Sequence, residues 1–226
     1  MADYRPMWTE LGLDLERHDM LLEALGGMYQ GLFLAQKNRP QAMDYFDFVV
    51  SEIHGLRVKE LMDHRAGGGK VVGLYCVFVP EDLIMAAGAI PVGLCAGAQF
   101  AVPDAEEVLP RNTCPLVKSS FGFKTSRTCP YIQASDFVVG ETTCDGKKKM
   151  YEILGEYHPT YVMEVPQKKT PLGREKGEWW WGWEGSPSAR GYGGALQTLL
   201  GWEGGRETRG AGILPAGSQM PCSGRE

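Results

Sequence analysis

The chain has 226 residues and a mass of 24.9 kDa, enough for one large domain or two small ones. Apolar residues make up 43% and charged residues 23%, as in an ordinary globular protein, and the net charge of −5 with a pI near 5.5 disfavours a general nucleic-acid binder, which needs a basic face. No apolar run approaches the roughly eighteen residues of a membrane span, and MADYRPMWTELGLDLERHD mixes both charge signs, unlike a secretory signal. The expectation is therefore a cytoplasmic protein with neither nucleic acid nor membrane as partner. In that compartment six cysteines point to free thiols, metal ligands or redox centres rather than to a disulfide framework.

Residues 13–36 place Leu13, Leu15, Met20, Leu21, Leu22, Leu25, Met28, Leu32 and Leu34 on one broad helical stripe. Pro40 suits a first helical turn, and a second helix is expected from there through MDYFDFVVSEIHGLRVKELMDH to the glycines 67–69. The pattern then changes. KVVGLYCVFV (70–79) is a β-branched, aromatic run of strand length, with Cys76 read as a small buried apolar residue inside it. Pro80-Glu81-Asp82 opens a short helix, DLIMAAGA, and AIPVGLC (89–95) reads as a second strand. Pro103-Asp104 opens another helical turn. DFVVGETTC (136–144) is a third strand running into a loop, GKKKMYEILGEY (146–157) a helix and TYVMEV (160–165) a fourth strand. Strand and helix alternate, which predicts an α/β fold: N-terminal helices (1–66), then a Rossmann-like, mostly parallel sheet domain (67–172).

Residues 173–226 break with this composition. They hold 14 of the 30 glycines and five of the six tryptophans but no Val, Phe, Asp, Asn or His, and Trp179, Trp180, Trp181 and Trp183 crowd five positions. The segment has neither helical nor strand period, and its aromatics are foreign to a flexible linker. It reads as an irregular tail, an out-of-frame or wrongly predicted extension starting near residues 172–178.

Five of the six cysteines fall between 76 and 144, and Cys222 lies in the tail. Cys95, Cys114, Cys129 and Cys144 each sit in a loop or at a helix start, with gaps of 19, 15 and 15 residues. These are not the paired spacings of a zinc ribbon or a bacterial ferredoxin, so spacing alone leaves buried thiols and metal ligands equally open. Context adds to it. Small residues follow Cys95, proline follows Cys114 and Cys129, and Cys144 opens a helix whose backbone N–H groups can serve a thiolate or a cluster sulfur. If the ligand is a metal, soft thiolates without a nearby His favour iron–sulfur over catalytic zinc. The histidines 18, 54, 64 and 158 are scattered and are assigned no site.

CPLVKSSFGFKTSRTCPYIQASDFVVGETTCDGKKKMYEILGEY, with the upstream KVVGLYCVFVPEDLIMAAGAIPVGLCAGAQ, resembles the 2-hydroxyacyl-CoA dehydratase family, most closely its double-cubane cluster branch, over roughly residues 10–170. The resemblance implies two related α/β domains with an iron–sulfur cluster between them, [4Fe–4S] or double cubane. It implies low-potential electron transfer to a small molecule or an acyl-CoA, and an enzymatic role as a reductase or as a dehydratase (lyase) component. It also implies a separate iron–sulfur ATPase as activator, and a homodimer or heterodimer. Carried over residue by residue, Cys95, Cys114, Cys129 and Cys144 stand at its cluster-binding positions. Nothing after residue 172 resembles the second domain, so the chain is expected to carry the first half only, truncated and of doubtful activity. The competing expectations are a zinc-bound or metal-free α/β binding domain and a non-functional gene remnant.

Three further motifs remain. Gly67–Lys70 lacks the spacing of a phosphate loop and reads as a helix-to-strand turn. Lys147, Lys148 and Lys149 read as a solvated face, with docking of the activator or of CoA as the second reading. Lys118, Ser119 and Ser120 are read evenly as donors to a cluster or as groups satisfied on the helix.

Overall fold

The β-branched runs pair into one sheet. The structure, a computed structural model, describes residues 3–165 apart from 77, 95 and 96; the tail and Cys95 lie outside the described residues. Strands β1 (Val71–Tyr75), β2 (Ile90–Gly93), β3 (Phe137–Glu141) and β4 (Thr160–Met163) lie in the order β2-β1-β3-β4, every pair parallel. β1 and β3 are buried at every position, which explains why they read as continuous apolar runs. Their residues alternate between two cores. Val71, Tyr75 and Val138 face one that includes Leu61, Val117, Phe121, Ile132 and Leu154, whereas Val72, Leu74, Phe137 and Val139 face another with Val79, Ile84 and Ala89.

Around the sheet run α1 (Arg5–Glu10), α2 (Leu15–Tyr29), a wide π turn (Gln30–Leu34), α3 (Met43–Ser51), α4 (Leu56–Ala66), α5 (Glu81–Ala86), a 3₁₀ turn (Gln99–Ala101), α6 (Val102–Glu106), α7 (Pro115–Thr125), α8 (Pro130–Ala134) and α9 (Asp145–Tyr157). The expected α/β architecture, helices first and a parallel sheet after, is present.

Two boundaries differ from the sequence reading. The helix expected from Pro40 to the glycines is two helices, parted at Glu52–Gly55. The break is held by tertiary partners: Tyr4 donates to Glu52 (2.7 Å), Trp8 Nε1 donates to the carbonyl of His54 (2.8 Å), and the Tyr131 hydroxyl donates to that of Ile53. At Gly55 a Cβ would run into the Tyr4 ring. β1 also ends at Tyr75 rather than running on to residue 79, because Cys76 turns the chain out of the sheet with φ +80°. Cys76 is therefore not a core strand residue. It is half-buried, beyond the strand end, and outside both apolar cores flanking the sheet.

The N-terminal helices are clamped onto the segment that carries Cys129. Asp14 N–H donates to the Arg127 carbonyl (3.0 Å), His18 Nδ1 meets the Thr128 carbonyl (2.8 Å), and Arg17 grips Asp104 of α6 with both terminal nitrogens (2.6 and 2.7 Å). α7 in turn lies close against the 3₁₀ turn, where Gly122 leaves room for the Ala101 carbonyl.

Candidate functional site

A parallel sheet binds ligands beyond the carboxyl ends of its strands, where the strand order reverses. Here that point lies between β1 and β3, since the chain goes from β1 to β2 on one side and returns to β3 on the other. The residues just past these ends are Cys76 after β1, and Thr143 and Cys144 after β3, with Lys147 one turn into α9.

Cys144 is the N-cap of α9, and its Sγ accepts the Lys147 backbone N–H at 3.4 Å. It is exposed. Behind it lies a charge pair. Glu141 ends β3 with a fully buried carboxylate that accepts from Lys147 Nζ (2.6 Å) and from Thr143 Oγ1 (3.2 and 3.1 Å). Burial works against the Lys147 charge, but the hydrogen bond and charge of Glu141, with Cys76 behind, outweigh it and hold the ammonium above the usual lysine range.

Cys114 caps α7 and is exposed, with Pro115 at the first helical position. One turn on, Lys118 is buried and turned toward α6, donating to Glu106 (2.6 Å) and to the Arg111 carbonyl (2.8 Å). That hydrogen bond holds the Glu106 carboxyl below the ordinary carboxylate range. Ser119 Oγ donates back to the Leu116 carbonyl (3.0 Å). Lys118 is engaged by α6 and the loop that follows it, and Ser119 by its own helix, which turns the even reading for these two toward the structural role.

Cys129 caps α8 in an apolar seam between the main core and a smaller one of Leu21, Ala101 and Phe123. Burial pushes its thiol up, with the backbone N–H groups of Ile132 and Tyr131 working the other way.

Three of the four predicted ligands thus share one local design, a thiol at the start of a helix with that helix's first backbone N–H groups ahead of it. Among the described residues no three Cys, His, Asp or Glu side chains close on one point, so they form no single-ion site. Thiols with helix-start amide donors are the donor type that both a four-cysteine zinc site and an iron–sulfur group use.

The basic run is not a uniform solvated face. Lys147 is turned inward to Glu141, Lys148 pairs with Asp145 (3.4 Å), and Lys149 pairs with Glu152. Sequence reading missed both the left-handed turn at Cys76 and the Glu141–Lys147 pair. The latter was hidden because Glu141 is simply the last residue of an apolar strand and its partner lies one helical turn beyond the loop.

At the amino ends of β1 and β3 a cavity of about 430 Å³ is lined by Glu10, Arg65, Gly68, Gly69, Lys70 and Asp136, among others. Asp136 is occupied there, accepting from Val71 N–H (2.8 Å) and pairing with Arg65 (3.4 Å) and Lys70 (3.7 Å). Gly67–Lys70 forms the helix-to-strand turn expected of it, with Gly68 at φ +86°.

Residues 76–182 match the family profile described as 2-hydroxyglutaryl-CoA dehydratase, D-component. YjiM of Escherichia coli (strain K12), by its name a candidate dehydratase subunit, is 53% identical over 106 residues, 47% of this chain and 28% of that relative. The match thus spans little more than a quarter of the relative's length.

Proposed function

We propose, from the match of residues 76–182 to the 2-hydroxyglutaryl-CoA dehydratase D-component family, that this chain supplies the cluster-binding α/β part of an iron–sulfur redox protein. In this reading residues 67–172 form the cluster-binding unit, residues 1–66 brace it, and Cys95, Cys114, Cys129 and Cys144 are the thiolate ligands. The observation that carries it is the placement of Cys114, Cys129 and Cys144 each at a helix start, with Cys144 at the point where the strand order reverses.

When bound, such a cluster, [4Fe–4S] or double cubane, supplies single electrons at low potential. The chain's own residues prepare its seat. Pro115 and Pro130 fix the backbone after two of the thiols, and the Lys147 N–H already donates to the Cys144 sulfur. The Lys147 ammonium, anchored by Glu141, sets a positive charge beside the thiols and offsets the negative charge that thiolates accumulate. The electron source in this reading is a separate ATP-hydrolysing activator. The acceptor is a small molecule or a 2-hydroxyacyl-CoA, and a second α/β unit, within a dimer, completes the cluster's surroundings.

Anaerobic reconstitution of the full chain with ferrous iron and sulfide tests this. The expected product is brown and holds both iron and sulfide. A colourless product with zinc, or with no metal, overturns the redox reading in favour of a binding domain.

A further inference from the structure

We infer that Glu141 is a positioning residue for Cys144: its buried carboxylate fastens Thr143, one residue before that thiol, and Lys147, three residues after it, so that the Lys147 backbone N–H stays on the sulfur. The inference rests on the reading above that Cys144 ligates an iron–sulfur group. It begins with a cost. Glu141 is 0% exposed, at the carboxyl end of a strand whose Phe137, Val138 and Val139 fill the two apolar cores. Replacing a buried ion pair by apolar side chains of similar volume is often neutral or stabilising. Stability alone therefore gives this position no reason to carry a charge.

The contacts supply the reason. Thr143 Oγ1 shares its proton between the two carboxylate oxygens (3.2 and 3.1 Å), and the Thr143 N–H donates to the Glu141 carbonyl (3.0 Å). Lys147 Nζ donates to the carboxylate (2.6 Å) and to Thr143 Oγ1 (3.3 Å). The side chains of residues 141, 143 and 147 thus close a triangle, and Cys144 lies on the chain between two of its corners. Lys147 then acts twice. Its ammonium is fastened to the end of β3, and its amide donates to Cys144 Sγ at 3.4 Å. Cys144 is exposed, so packing contributes little to holding its sulfur; the triangle orients the first turn of α9 instead. Cys114 gives the contrast. Lys118, four residues on, turns away to Glu106 of α6, and the Cys114 thiol accepts no capping hydrogen bond.

Amide hydrogen bonds to ligand sulfurs stabilise the more negative, reduced form of a cluster and so raise its potential. The brace therefore has one readout in the apoprotein and another in the reconstituted protein. The test compares the full wild-type chain with Glu141→Leu combined with Lys147→Met, which removes the triangle without stranding a buried charge. In the apoprotein, amide hydrogen exchange at position 147 is expected to be about tenfold faster in the double variant, with exchange in β3 unchanged. After anaerobic reconstitution, its redox equilibrium should shift about tenfold toward the oxidised cluster, about 59 mV for one electron, as read by a potentiometric titration followed by electron paramagnetic resonance. A merely structural pair would not move the potential. Wild-type exchange in the double variant, or faster exchange with a wild-type potential, overturns the inference and leaves the redox reading intact. A wild-type chain that takes up no iron overturns the redox reading and this inference with it. If the double variant does not fold or takes up no iron, Thr143→Val decides by the same two measurements, since it keeps the ion pair and removes only the hydroxyl from the triangle; wild-type values in it overturn the inference.

Discussion

Glu141 is the residue on which the rim is built. Its carboxylate is wholly buried and accepts from Lys147 and Thr143. Such a pair is costly to break from one side, because the survivor is a buried charge without its counterpart. Glu141→Gln should lower the urea midpoint of the apoprotein by the equivalent of about 3 kcal/mol. Glu141→Leu combined with Lys147→Met should be closer to wild type than either single change, since an apolar pair of similar volume carries no desolvation cost. A double variant no more stable than the singles would show that the pair is not coupled. The helix starts at Cys114, Cys129 and Cys144 were legible because proline or Asp-Gly follows each cysteine. Cys76 was not, because its strand looked continuous through Val79 and neither Gly nor Asn announced the left-handed turn.

At the scale of elements, the sheet was legible and the helix joints were not. β1 and β3 are buried on both faces, so their β-branched runs stand out against any neighbour. The break at Glu52–Gly55 depends on Tyr4, Trp8 and Tyr131, residues far away in sequence whose approach no local pattern records. That joint also carries a pH dependence. His54 stacks on buried His18 (ring centroids 5.0 Å apart), near Trp8 and Tyr131. Burial, then the charge of His18, holds His54 at about 4; burial, then Lys124, holds His158 at about 4. Burial lowers His18 as well. Unfolded histidines take up protons below about 6.5, while these native ones resist until about 4, so the unfolded state binds more protons in that window. Stability should therefore be full above pH 6.5 and fall as the pH drops toward 4. Urea midpoints measured across that range should show the decline, and His54→Gln should flatten it; an unchanged slope in the variant would place the proton uptake elsewhere. α7 offers a second check. A Cβ at Gly122 would meet the Ala101 backbone carbonyl, so Gly122→Ala should cost about 1–3 kcal/mol by denaturation, more than the usual helix gain from alanine could offset.

For the whole molecule, the most telling feature is where apolar surface remains uncovered. Of the eighteen large hydrophobic side chains exposed among the described residues, twelve fall within residues 20–56, on α2, the π turn, α3 and the joint to α4. Tyr45, Phe46 and Phe48 are more than half exposed, at 68, 54 and 55%. The sheet side of the fold shows no such concentration, because its cores close on both faces. α2 and α3 are tied by polar contacts instead: Asp47 accepts from Tyr29 (2.6 Å) and from both terminal nitrogens of Arg39 (2.9 and 2.6 Å). A patch of this kind on a lone chain leads to association. The isolated chain should bind a hydrophobic dye and scatter more light as its concentration rises. Phe46→Lys combined with Phe48→Lys should suppress both, with the urea midpoint within about 0.5 kcal/mol of wild type, because exposed side chains contribute little to the core. Dye binding that persists in this double variant would locate the sticky surface outside α3, and a large fall in stability would mean that these rings are covered in solution.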